Sequence, residues 1–263
     1  MTARIFHVDA FTDVPFAGNP AAVCLLTQVQ SQDWMQSVAA EMNLSETAFV
    51  RILAKDYELR WFTPAMEVEL CGHATLASAH ILWTQGFAGH DESIRFQTKS
   101  GVLTCKRTDT AIELNFPAMP PIETAPPKAL LDAFHIRPLF VGKSLFDFLL
   151  VVDSEEIIRN LRPDLHTLRD IRGIRGVIIS GPADNPRFDF VSRFFAPSAG
   201  IDEDPVTGSA HCCLGPYWSG RLGKSSMTGY QASKRGGIVH VRVETDRVIL
   251  GGNAVTVLQG ELL

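Results

Sequence analysis

Apolar and polar positions follow two periods along the chain, and the change from one to the other recurs in a similar form in each half. Arg4 to Ala10 (RIFHVDA) alternates as a strand, a loop with Pro15, Gly18 and Pro20 follows, and Ala21 to Leu26 returns as a strand. Trp34, Val38 and Met42 then fall at helical spacing behind Ser31, a residue able to cap that helix. Thr47–Val50 and Tyr57–Phe62 (YELRWF) are strands, the second closed by Thr63 and Pro64. Ala74 to Trp83 reads as a helix stopped by Gly86, and Ser93–Thr98, Gly101–Lys106 and Ala111–Phe116 as three further strands.

Between Pro117 and Pro127 the chain reads PAMPPIETAPP, a density of proline that can continue neither a helix nor a central strand. The domain boundary is therefore expected here, giving domains 1–118 and 119–263, with the last strand able to return to the first domain. Beyond it, helices are expected near Lys128–Phe134, Glu155–Leu161, Asp164–Ile171 and Thr207–Trp218. Strands are expected at Phe146–Asp153, Val177–Ser180, Phe188–Phe195, Ile238–Glu244, Val248–Leu250 and Val255–Gln259.

The two halves share one arrangement. Arg60-Trp61-Phe62-Thr63-Pro64 leads through an acidic loop to Cys71-Gly72-His73-Ala74. Arg193-Phe194-Phe195-Ala196-Pro197 leads through another to Thr207-Gly208-Ser209-Ala210. A glycine before a helix is often only a turn. Its repetition behind a matching strand end points to two similar domains whose helix starts, Gly72 and Gly208, converge on one interdomain cleft. The exposed N–H groups and positive dipole end of a helix start suit a carboxylate.

Composition narrows the function. The 263 residues are 46% apolar and 20% charged, with a net charge of −5 and no basic tract, which fits a folded protein and argues against nucleic acid as a partner. No segment reads as a membrane span or a signal peptide, so a cytoplasmic location is expected. The five cysteines lack a zinc spacing. His211, Cys212 and Cys213 are sequence neighbours that point in different directions on a helix, so no metal is expected there. With no Walker loop, dinucleotide fingerprint or nucleophile elbow, the chain points to acid–base chemistry without a cofactor.

Glu46 stands before an apolar strand, where partial desolvation suits a carboxylate to proton transfer. His73 and Ser209 follow the two junction glycines and could donate to a substrate or move a proton. Asp204 lies before the second helix. Each has an ordinary structural reading: a solvated loop glutamate, a capping aspartate, a first-turn histidine bonding a carbonyl.

Four segments, HVDAFTDVPFAGNPAAV, MNLSETAFV, RWFTPAMEVELCGHAT and FFAPSAGIDEDPVTGSAH, resemble the PhzF-like family of phenazine-biosynthesis-type isomerases. YQASKRGG (Tyr230–Gly237) resembles a subset of it. The resemblance implies an α+β fold of two pseudo-symmetric diaminopimelate epimerase-like domains, each a mixed, barrel-like sheet around a central helix. It also implies a homodimer without metal or organic cofactor, acting on a small carboxylate substrate. The proton-moving role falls on Glu46, with His73, Asp204 and Ser209 beside it. Backbone groups at Gly72, His73, Gly208 and Ser209 would hold the carboxylate, Thr207 would also bind substrate, and Asn19 would line the cleft. Related racemases use two opposing cysteines. Cys71 fills the first position but Thr207 stands at the second, so a two-thiol mechanism is not expected, and Cys71 reads as either a relic of one or a buried packing residue. An epimerase of an unusual amino acid and a non-catalytic binding protein on the same scaffold are the alternatives.

Overall fold

The computed structural model describes residues 3–263, and these form two compact units. One contains the chain up to Asn115 together with Gly251–Leu263; the other is Phe116–Leu250.

In the first unit the elements run β1 (Ala3–Ala10), β2 (Asn19–Leu26), α1 (Gln32–Met42), β3 (Glu46–Ile52), β4 (Tyr57–Phe62), β5 (Glu67–Val68), α2 (Gly72–Thr84), β6 (Ile94–Thr98), β7 (Gly101–Arg107) and β8 (Ile112–Pro117). The second unit has β9 (Ile122–Glu123), α3 (Lys128–Phe134), β10 (Phe140–Lys143), β11 (Asp147–Val151), α4 (Glu155–Asn160), α5 (Leu165–Arg169), β12 (Gly176–Pro182), β13 (Phe190–Ala196), β14 (Ile201–Asp204), α6 (Gly208–Leu222), β15 (Ser226–Gln231) and β16 (Gly237–Val243). Then β17 (Arg247–Gly252) leads to β18 (Ala254–Leu262), which pairs antiparallel with β1 inside the first unit.

The repeat read in the sequence is a repeat of topology. In the first unit β1–β2 is antiparallel, β2–β3 parallel, β3–β4 antiparallel, β4–β6 parallel and β6–β7 antiparallel. The second unit repeats that alternation through β10–β11, β11–β12, β12–β13, β13–β15 and β15–β16. A parallel step needs a crossover. The helices α1 and α2 supply the two in the first unit; α4 with α5, and then α6, supply them in the second.

Strand β2 is buried almost throughout because both its faces are covered. Ala22, Cys24 and Leu26 pack with Met35 and Ala39 of α1 and with Phe49 and Phe62. Their alternates face the opposite side, where α2 packs against β1, β2, β3 and β18. Accordingly α2 is apolar nearly all round and buried from His73 to Ala79 and from Ile81 to Trp83. In the second unit α6 holds the corresponding place against β15 and β16, and Gly215 permits the approach, since a Cβ there would lie 2.9 Å from Val241. Each unit is thus a mixed sheet around a buried helix.

Several details depart from the sequence reading. The two acidic loops are partly strands, β5 and β14, each turning back onto the strand that precedes it. Strands β10 and β15 were not expected. In β15 a central glycine, Gly229, breaks the apolar pattern, and it is there because a Cβ would meet the Phe190 ring at 2.6 Å. Helix α2 begins at Gly72, ahead of its first apolar turn, and α6 runs on past Trp218 to Leu222, where Gly223 ends it in the left-handed conformation.

Candidate active site

The side chains singled out in the first unit meet at the start of α2. Asn19 opens β2 and is wholly buried; Glu46 opens β3, whose register places it beside Ala21. The loop before Asn19 is shaped by backbone constraints. The Phe16 amide donates to the buried Asp9 carboxylate at 2.7 Å, and Gly18 has φ +65° with no room for a Cβ, which would lie 2.2 Å from the Ala10 carbonyl oxygen.

His73 is the hub. Its Nε2 lies 3.2 Å from Oε2 of Glu46, and its Nδ1 lies 3.2 Å from the Asn19 amide nitrogen and 3.5 Å from Sγ of Cys71. The Ser45 hydroxyl lies 3.5 Å from the Asn19 carbonyl oxygen. The Asn19 amide and the Pro20 carbonyl both approach the imidazole, and which ring nitrogen carries the proton follows from which of them it bonds. Distance and alignment disagree at the contact between His73 and Glu46: the atoms are close, yet the geometry falls short of a proper hydrogen bond. Burial lowers the imidazole pKa to about 3, outweighing the opposing effect of the Pro20 carbonyl, so His73 is neutral at physiological pH.

Neither central helix is capped by a side chain: Cys71 and Thr207 are the N-cap residues of α2 and α6, and neither side chain accepts from its helix. The first helical N–H groups, those of Gly72 and His73 and of Gly208 and Ser209, therefore remain donors that helix geometry cannot satisfy.

In the second unit Asp204 is not the cap of α6. Its carboxylate accepts from the Thr207 hydroxyl. Gln231, which the sequence reading did not single out, ties this corner together. Its Oε1 accepts from the Thr207 amide at 2.8 Å, and its Nε2 donates to the Asp204 carbonyl at 2.8 Å and the Thr207 hydroxyl oxygen at 3.2 Å. Ser233 donates to the Pro205 carbonyl at 2.8 Å, so the YQASKRGG segment buttresses the DPVTG turn. Ser209 accepts from Arg175 at 2.9 Å, and Arg175 is paired with Asp147. Arg175 and Asp147 were also missed. The available signal was an aspartate opening the apolar run Asp147–Val151.

Glu46, Cys71 and His73 have atoms within 4.8 Å of one another, the one such group among the described residues with metal-ligating side chains. They fit a single ion poorly. Cys71 approaches Nδ1 and Glu46 approaches Nε2, whereas an imidazole binds one ion through one nitrogen. His211 directs Nδ1 at the Thr207 carbonyl, and burial pushes the Cys212 and Cys213 thiols up to about 12, the reverse of a thiolate metal site. A shallow cavity of about 140 Å³ opens at the other end of α2 between His80, Trp83, Arg107 and Asn253, and no candidate residue lines it. Among the described residues no helix is long and apolar enough to cross a membrane.

Comparison with known proteins shows the family and the fold. The family model described as phenazine biosynthesis-like protein matches residues 8–260. An uncharacterized isomerase of Halalkalibacterium halodurans is 52% identical over 264 aligned residues, covering 100% of this chain and 99% of the relative. The crystal structure of a PhzF-family phenazine biosynthesis protein from Enterococcus faecalis superposes with a TM-score of 0.95 at 38% identity, covering all of both chains. A hydroxyproline epimerase from Agrobacterium vitis shares the fold at a TM-score of 0.62 and 10% identity, covering 99% of this chain and 92% of the epimerase.

Proposed function

The chain belongs to the phenazine biosynthesis-like family, which includes proteins named isomerases, and from that premise we propose that it is a cofactor-independent isomerase of a small carboxylate-bearing substrate. Glu46 removes a proton from the carbon α or vinylogous to the carboxylate and returns it to a second position. Neutral His73 donates from Nε2 to Glu46 and orients it, and Asn19 holds the imidazole in the tautomer this requires. The uncapped start of α2 binds the substrate carboxylate and stabilises negative charge as it develops. Thr207, Gly208 and Ser209 at the start of α6 are the companion anchor in this reading, with Asp204 as the assisting acid–base group.

The observation that carries the reading is the half-buried Glu46 carboxylate 3.2 Å from a neutral, buried imidazole at an uncapped helix start. A two-thiol racemase is disfavoured, because Thr207 holds the position that a second thiol would need and Cys71 is itself buried.

The test is a panel of small amino and hydroxy acids, saturated and unsaturated, incubated with the protein in D2O. At least one should gain deuterium at carbon, with the product's double-bond position or configuration separating isomerase from epimerase. Ligands that bind and shift thermal stability without any carbon exchange would make the protein a binder and overturn the proposal.

A further inference from the structure

We propose that Arg175 is a positioning residue that commits the Ser209 hydroxyl to donating, so that the substrate group it meets must be an acceptor oxygen; this rests on the reading of Ser209 as a substrate contact. Arg175 is held from several directions. Its amide donates to the Phe146 carbonyl at 2.9 Å and its own carbonyl accepts from Ser198 at 3.1 Å. The guanidinium lies 5.1 Å from the Phe146 ring and 5.6 Å from the Phe194 ring. It donates from Nε at 3.0 Å and from Nη2 to the two carboxylate oxygens of Asp147, a side chain only 2% exposed. Gly176 leaves the room for this packing, since a Cβ there would lie 2.5 Å from the Phe194 ring.

From this fixed position Nη2 donates to Oγ of Ser209 at 2.9 Å. A guanidinium has only donors, so Oγ must accept and the hydroxyl proton must go elsewhere. Among the described residues no protein acceptor takes it. The charges agree. A cation at a helix start opposes the macrodipole, but Asp147 offsets Arg175, leaving the partial positive charge of the α6 start and one outward hydroxyl proton. Such a corner accepts a carboxylate or carbonyl oxygen and rejects an ammonium group.

The test uses the full-length 15N-labelled protein, with acetate as probe, acetamide as its neutral counterpart, and the Gly208 and Ser209 amide resonances as the local readout. Acetate should shift these resonances saturably and acetamide should not. Ser209→Ala and Arg175→Met should each weaken acetate binding about tenfold, the loss expected for one hydrogen bond to a charged group. Arg175→Lys should recover part of the loss. In a Ser209→Ala background, Arg175→Met should add nothing, because its effect passes through the hydroxyl. Should Arg175→Met strand the Asp147 charge and unfold the chain, the neutral pair Arg175→Gln with Asp147→Asn replaces it. Absence of any saturable acetate shift in the wild type would defeat both the Ser209 reading and this one. Weakening by Ser209→Ala but not by the Arg175 variants would keep the first and overturn the second. An undiminished Arg175 effect without the hydroxyl would also overturn it.

Discussion

Nε2 of His73 faces Oε2 of Glu46 at 3.2 Å, and the imidazole making that contact is uncharged because burial holds its pKa near 3. In the proposed mechanism the carboxylate is the base and the neutral imidazole its donor. That proposal gives the two groups distinct tasks, set by environment rather than by residue type.

This division predicts the behaviour of His73 variants. His73→Gln keeps an amide able to donate toward Glu46 and should retain part of the proton-exchange rate, whereas His73→Leu should lower it by about 100-fold, within the range for a positioned acid–base group. The pH profile of exchange should show no limb near the ordinary histidine pKa of about 6.5. A limb there that disappears in His73→Gln would mean that the imidazole itself titrates during turnover.

Acid stability carries a second signature. Burial lowers His73 to about 3, His211 to about 4 and His80 to about 4, with the Arg107 charge adding to the effect at His80. In each case the unfolded chain binds more protons between the ordinary pKa of about 6.5 and these lowered values. Stability is therefore fully present above that window and falls as pH drops through it, by about 1.4 kcal/mol per pH unit for each imidazole. Urea midpoints measured from pH 7 to pH 4 should fall steeply, and His80→Gln should flatten the slope by one such increment. A midpoint independent of pH would contradict the burial of neutral histidines.

Gln231 tests the second helix start. It bonds the Thr207 amide, the Thr207 hydroxyl and the Asp204 carbonyl from a fully buried position. Gln231→Leu leaves these groups without their partner and should cost about 1–3 kcal/mol in denaturant unfolding. Gln231→Glu, which keeps the acceptor for the Thr207 amide but loses the amide donors, should also destabilise the fold. Full stability in both variants would show that the network is dispensable.

Gly18 tests the first. Its φ of +65° and the 2.2 Å approach of a Cβ to the Ala10 carbonyl oxygen leave no place for a side chain directly before Asn19. Gly18→Ala should destabilise the protein by about 2 kcal/mol or more and, in the fraction that folds, lower proton exchange by displacing Asn19. Equal stability and exchange in calorimetry and isotope assays would refute that constraint.

What the sequence disclosed followed local signals. The repeated strand end, glycine and helix start was legible because all its parts lie within one short stretch in each half. Glu46, His73 and Asn19 were recognisable from motifs, although their meeting around one imidazole is a product of strand register and of α2 starting at Gly72. Gln231 and Arg175 escaped notice because they act on Thr207 and Ser209 from distant positions in the chain. No periodicity links such residues. Strand β15 was hidden for a different reason: Gly229 serves the Phe190 ring opposite it, a requirement visible only in the packed structure. Cys71 does lie in the core, as a packing residue should, but its sulfur also approaches Nδ1 of His73.

The central claim is that Glu46 moves the proton, and Glu46→Gln tests it most directly. The amide keeps the size of the carboxylate but cannot accept the substrate proton. For any carboxylate that gains deuterium from D2O with the wild-type protein, the variant should remain folded, still bind the compound, and exchange at least about 100-fold more slowly. Exchange at the wild-type rate in Glu46→Gln would contradict the account.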